Sequence, residues 1–177
     1  MVKLITTIIV ALVAQLSFGQ TTMFDKFDGK DEINTVVVSK KMFEMIGNLK
    51  VNSSDKDLVQ YHALAKKLDN LKIFMTSNSK YASELKSTAD KYLKSANLEE
   101  LMRVSDGGKN VKIYVKTGAN ESVLKEMFMI IEGASKDHEM VIMSLTGEFN
   151  LTELSALTEK MNLPGGEEIK KASKGKK

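Results

Sequence analysis

From residue 99 onward the apolar residues recur at every second position. The segment "EELMRVSDGGKNVKIYVKTGANESVLKEMFMIIEGASKDHEMVIMSLTGEF" holds four apolar stretches separated by turn chemistry. A period of two belongs to strands, because successive strand side chains point to opposite faces. Asp106-Gly107-Gly108 reads as a hairpin turn, since glycine takes positive φ without a Cβ clash. Gly118-Ala119-Asn120 and the run from Gly133 to Asp137 supply the next two loops. The pattern predicts strands at 99–105, 109–117, 121–132 and 138–147, joined as an antiparallel meander. "ESVLKEMFMIIEG" also fits a helical period, so 121–132 stays open between strand and helix.

The strands differ in their faces. Val111, Ile113 and Val115 alternate with Lys112, Tyr114 and Lys116, which leaves one partly polar face. The two later strands are apolar on both sides. Val123, Met127, Met129 and Ile131 oppose Leu124, Phe128 and Ile130; Met140 and Ile142 oppose Val141, Met143 and Leu145. Strands apolar on both faces need cover on both faces. Either the chain's own helices supply it, or one face meets a partner or a small apolar ligand. Leu124, Phe128, Ile130, Val141, Met143 and Leu145 are the candidate residues for such a surface. A pocket between sheet and helices would be lined by Met127, Phe128, Met129, Met143 and Leu145.

Upstream, helical and strand patterns alternate. Val36 to Val38 suit a short strand, followed by a helix with Met42, Phe43, Ile46 and Leu49 at helical spacing, ending near Gly47-Asn48. Ser54 with Asp57 resembles a capping box, and Leu58, Tyr61, Ala65 and Leu68 form the face of the next helix. His62 falls on its flank as a surface histidine. "LKIFMTS" (71–77) reads as a buried strand. Residues 79–97 read as a helix capped by Ser79, with Tyr81, Leu85, Ala89, Tyr92 and Ala96 on its inner stripe. Asn150 caps the last helix with Glu153 reciprocal to it; Leu151, Leu154, Leu157 and Met161 face inward, and Pro164-Gly165-Gly166 ends it.

The two ends of the chain carry different signals. Lys3, an apolar run from Leu4 to Ala14, and Ser17-Phe18-Gly19 make a secretory signal peptide cut between Gly19 and Gln20. The run is shorter than the roughly 20 apolar residues a spanning helix needs. With no cysteine anywhere, a lipid-modified cysteine, disulfides and sulfur-ligated zinc are all ruled out. Residues 20–34 read as an exposed acidic lead-in, because Asp25, Asp28, Asp31 and Glu32 lack the alternating ligand spacing of a calcium loop. The formal net charge is +3, but five lysines sit in the last eleven residues, "EEIKKASKGKK". The body is then close to neutral, without the basic stripe that nucleic-acid binding requires. Residues 164–177 read as a Lys-rich disordered tail.

No catalytic constellation is visible. G-x-S-x-G, Walker and H-E-x-x-H patterns are missing, and Asp137-His138-Glu139 is a turn trio whose side chains do not converge. No catalytic, metal-binding or cofactor-binding residue is assigned, and no cofactor is expected.

"MFDKFDGKDEINTVVVSKKMFEMI" and "VIMSLTGEFNLTELSAL" resemble the opening and closing parts of a family of small exported bacterial proteins, domain of unknown function 4252. The resemblance spans nearly all of 24–162. It implies export and this chain length, and brings no catalytic residues with it. Many members of the family look lipid-anchored through an early cysteine, which this chain lacks.

The expected architecture is α+β: an antiparallel β-meander of four to five strands packed against three to four helices. It forms a single domain over 35–163. The expected protein is exported to the periplasm or secreted, without a stable membrane anchor, non-enzymatic, and a binder of a protein or envelope component. A homodimer is among the partners this allows. A carrier or sensor of a small apolar ligand or lipid is the alternative.

Overall fold

The computed structural model describes residues 22–49, 56–120, 122–133, 139–154, 157 and 164–174. Six strands form one antiparallel sheet: β1 (Asn34–Ser39), β2 (Leu68–Thr76), β3 (Glu99–Asp106), β4 (Lys109–Thr117), β5 (Leu124–Glu132) and β6 (Met140–Phe149), in the order β1-β2-β6-β5-β4-β3. The β3–β6 meander forms as its period predicts, and 124–132 is strand. The α+β class holds, but six strands replace four to five. β2 joins the free side of β6 and β1 lies outside it. These pairings join segments far apart in sequence, which local periodicity does not encode.

Helices cover both faces. On one lie α1 (Lys40–Gly47), α2 (Lys56–Ala65), the helical residues 151–154, and α4 (Gly166–Lys174). Phe43, Leu64, Leu154, Leu157 and Ile169 pack there on Leu71, Ile113, Met129 and Met143. On the other lie α3 (Ser79–Ala96) and a 3-10 helix, Thr22–Phe27. Phe24, Phe27, Leu85, Ala89 and Tyr92 pack there on Phe74, Phe128, Ile130 and Ile142. Two cores thus share one sheet.

Several expectations change. The lead-in expected over 20–34 is not simply exposed, because within its described part Phe24, Phe27 and Ile33 are buried and the 3-10 helix is part of the second core. The tail expected to be disordered forms α4 over 166–174. Its Ile169 is buried, and Glu168 accepts from Lys109 Nζ at 2.8 Å. One inward isoleucine gave too little signal against five lysines. Leu68 belongs to β2, because α2 stops at Ala65. The cap of α3 is Asn78, whose side chain accepts from Lys80 and Tyr81 N–H, and not Ser79. His62 is no free surface residue: its Nδ1 donates to the Ile46 carbonyl at 2.7 Å and ties α2 to α1. The Asn150–Glu153 box forms as expected, with Glu153 N–H to Asn150 Oδ1 at 2.8 Å and the reciprocal bond at 3.1 Å. Gly19, Gln20, Ser54, Met161, Asp137 and His138 lie outside the described residues.

Gly147 marks the tightest crossing in the sheet. It sits opposite Leu68 at φ +149°, where the β2–β6 register shifts. A Cβ there would strike the Lys67 carbonyl oxygen and lie 2.8 Å from Leu68 Cα. Gly147→Ala should therefore cost about 2 kcal/mol or more of unfolding free energy, from backbone strain alone. Urea denaturation followed by circular dichroism checks this; an unchanged midpoint contradicts it.

Candidate functional site

The sheet face under α3 is apolar at one end and polar at the other. Register places Lys72 beside Ser144 and Asn70 beside Thr146, and Glu126 lies beside Thr146 from the opposite side. A register shift between Leu124 and Glu126 makes this arrangement. A bulge reverses the alternation beyond it. Leu124 therefore joins the core under α1 and α2, on the same side as Met127 and Met129, while Glu126 turns toward α3 with Phe128.

There the Tyr92 hydroxyl donates to Glu126 Oε1. Both residues are buried. Burial is the main influence on the Glu126 carboxyl and raises its pKa; the Tyr92 hydrogen bond and the Lys116 charge pull the other way and do not overcome it. Burial and the neighbouring carboxylate hold the Tyr92 phenol protonated well above the usual range. Phe128 and Phe24 frame the tyrosine, with ring centroids 4.9 and 5.9 Å from it. Between these rings and Lys72, Ser144 and Thr146 a cavity of about 30 Å³ remains. Lys72 Nζ closes its rim on Asp25 Oδ1 at 2.6 Å. That volume suits about one or two waters, whereas ligand pockets start at about 300 Å³. The pair is buried in a polar corner of the core, with Tyr92 bordering this small cavity.

A larger groove, of about 1040 Å³, is open to solvent between the β3–β4 edge and residues 150–152, with Ser173 at its rim. Of the six residues expected to form a partner or ligand surface, Leu124 alone lines it.

Those six residues do not form a surface. Leu124, Val141, Met143 and Leu145 lie in one core; Phe128 and Ile130 lie in the other, across the sheet. All are at most 4% exposed. The chain's own helices cover both faces, so the two-sided apolar strands need no outside partner. Among Met127, Phe128, Met129, Met143 and Leu145, proposed as pocket lining, Phe128 alone touches the 30 Å³ cavity.

Exposed apolar surface gathers elsewhere, at the start of the fold. β1 is an edge strand whose outer side pairs with no strand among the described residues. Its Val36 and Val37 are 40% and 48% exposed. On α1, Met42 and Met45 are 50% and 58% exposed, and Leu49, just past the end of the helix, is 64% exposed. At 100° per residue the two methionines lie about 60° apart, on one flank of the helix. Phe43 and Ile46 turn to the core, Gly47 turns to α2, and Lys40 pairs with Asp69. Met45 points away from all of them, and Met42 lies about 40° from Ile46, at the margin of the buried side.

The other edge strand, β3, is protected by comparison. It carries Glu99, Glu100, Arg103 and Asp106, and its ladder shifts register between Glu100 and Met102. Edge strands resist further pairing through such charges and irregularities. β1 has neither: "NTVVVS" pairs with β2 in unbroken register and holds no charged residue. Val36 and Val37 were legible as strand residues, but which strands form edges is not a local property. Met42 and Leu49 read as part of the inner stripe with Phe43, although Met42 sits about 100° from it on the helix and Leu49 lies past the helix end.

The family model for a domain of unknown function (DUF4252) matches residues 27–157. No curated protein and no solved structure matches the chain.

The buried pair yields a pH prediction. With its pKa raised above the ordinary 4.5, Glu126 binds its proton more tightly folded than unfolded. Stability should fall as pH rises from about 4.5 through the raised value and then level off. Glu126→Gln keeps an acceptor for Tyr92 and removes the charge. That part of the pH dependence should then vanish, leaving the variant at least as stable as wild type at neutral pH. Thermal melts across this range check it; an unaltered pH profile in the variant contradicts it.

Proposed function

This chain belongs to the DUF4252 family, and from that premise we propose that it is an exported, non-enzymatic module that docks a protein through the β1 edge of its sheet. The observation that carries the reading is the contrast between the two edges. β3 is charged and irregular; β1 is regular, β-branched and open, next to an exposed methionine stripe. A sheet edge offers a row of backbone N–H and C=O groups to an incoming strand, and flanking apolar side chains add affinity. Methionine suits such a margin because its flexible thioether adapts to the shape it meets.

Support for a non-enzymatic role comes from what the titratable groups do. Tyr92 and Glu126 are buried against each other, and the cavity that Tyr92 borders is too small for a substrate. Export rests on Lys3, the Leu4–Ala14 run and the Gly19-Gln20 step. No helix among the described residues is long and apolar enough to cross a membrane.

A photo-crosslinking amino acid at position 37, compared with one at position 103 on the protected edge, tests the docking surface in the cells that make the protein. A protein adduct from position 37 and none from 103 is the expected result. Equal labelling at both, or none at 37, contradicts the proposal. N-terminal sequencing of the protein recovered outside the cytoplasm should begin at Gln20; recovery only from the cytoplasm with Met1 intact would overturn the export reading.

A further inference from the structure

We infer that the partner taken up at the β1 edge is a second copy of this chain, docked antiparallel about a two-fold axis at Val36–Val37. The inference rests on the docking surface proposed above and names its occupant. Its basis is the charge at the two ends of the strand. β1 is preceded by Asp31 and Glu32 and followed by Lys40 and Lys41. In an antiparallel pairing of two identical strands, the start of one lies beside the end of the other. The acidic pair of each copy then meets the basic pair of its neighbour, at both ends of one interface. Such an arrangement is isologous and closes as a dimer, so it cannot propagate into a filament.

The groups concerned are exposed, and the only ion pairs they make among the described residues are exposed ones. Asp31 and Glu32 are exposed and form no ion pair among the described residues. Lys41 is 81% exposed in its side chain and stands 4.0 Å from Glu44, at the limit of an ion pair. Lys40 bonds Asp69 at 2.9 Å in an exposed pair, which is worth little on its own. Between the charged ends lie Thr35, Val36, Val37 and Val38, β-branched throughout and suited to cross-strand contact. The pairing would join two six-stranded sheets into one continuous sheet.

A strand with like charges at both ends would repel its own copy, and a strand with mixed charges along its length would set no orientation. This strand does neither, and its pattern selects antiparallel over parallel. A parallel neighbour would set Asp31 and Glu32 beside their own counterparts and Lys40 and Lys41 beside theirs.

Sedimentation velocity of the purified protein over a wide concentration range gives the test. Wild type should show a monomer–dimer equilibrium that weakens as salt is added. The double variants D31K/E32K and K40E/K41E should each raise the dimer dissociation constant about tenfold or more, since each places like charges across both ends. Mixing the two variants should restore dimers as a heterodimer, because every end contact is then complementary. Val37→Glu is the second probe. Val37 lies directly opposite Lys72 in the β1–β2 ladder, so a glutamate there suits the monomer's fold while setting a charge in the dimer seam. It should sediment as a monomer with an unchanged circular dichroism spectrum.

Wild type that stays monomeric throughout overturns the second copy as occupant, and so does a dimer indifferent to both charge swaps and to Val37→Glu. If in addition position 37 crosslinks to a different protein, the docking surface stands and only its occupant was misassigned. Absence of any adduct at position 37 removes both.

Discussion

The whole arrangement depends on the middle of the sheet being apolar on both sides. β5 and β6 present Met127, Met129, Met143 and Leu145 to one face and Phe128, Ile130, Met140 and Ile142 to the other. Neither face can be left in water, since burying a side chain of this size contributes about 1.5–3 kcal/mol. The chain responds with cover above and below. α3 and the 3-10 helix lie on one side; α1, α2, residues 151–154 and α4 lie on the other. Several segments that look polar in sequence are drawn in by this demand. The acidic stretch before β1 contributes Phe24 and Phe27, and the Lys-rich end contributes Ile169.

Local irregularities then decide which side chains serve which face. The shift between Leu124 and Glu126 turns a leucine into one core and a carboxyl into the other. Tyr92 descends from α3 to meet that carboxyl, and a ring cluster of Phe24, Phe74 and Phe128 closes around the pair. The opposite strand shifts between Leu68 and Asn70, where Gly147 lets the backbones approach. At this end of the sheet Tyr92 pairs with Glu126 and Lys72 with Asp25, and both contacts tie elements of the fold together.

What remains available to other molecules is therefore the perimeter. Of its two edges, one is guarded by Glu99, Glu100, Arg103 and Asp106, and the other exposes Val36 and Val37 beside Met42, Met45 and Leu49. An edge with this regularity is a hazard unless its neighbour is specified. The charges that bracket β1 supply a specification that favours one orientation and one kind of partner. Function on this reading lives in the periphery of the sheet and not in its interior.

Much of the scaffold was readable along the chain. The period of two from residue 99, the Asp106-Gly107-Gly108 turn, the inner stripe of α3 and the Asn150–Glu153 box all depend on neighbours in sequence, and each forms as read. The need for cover on both faces of β5 and β6 was also legible, because alternation reports both sides of a strand at once. Tertiary structure alone decided what provides that cover. It also decided that β1 and β2 extend the sheet beyond β6, that a bulge moves Leu124 to the other face, and that Leu124, Phe128, Ile130, Val141, Met143 and Leu145 are core instead of surface. Those outcomes turn on long-range pairing and register. A one-residue shift exchanges the two faces of a strand at little local cost, so only the packed whole selects between them.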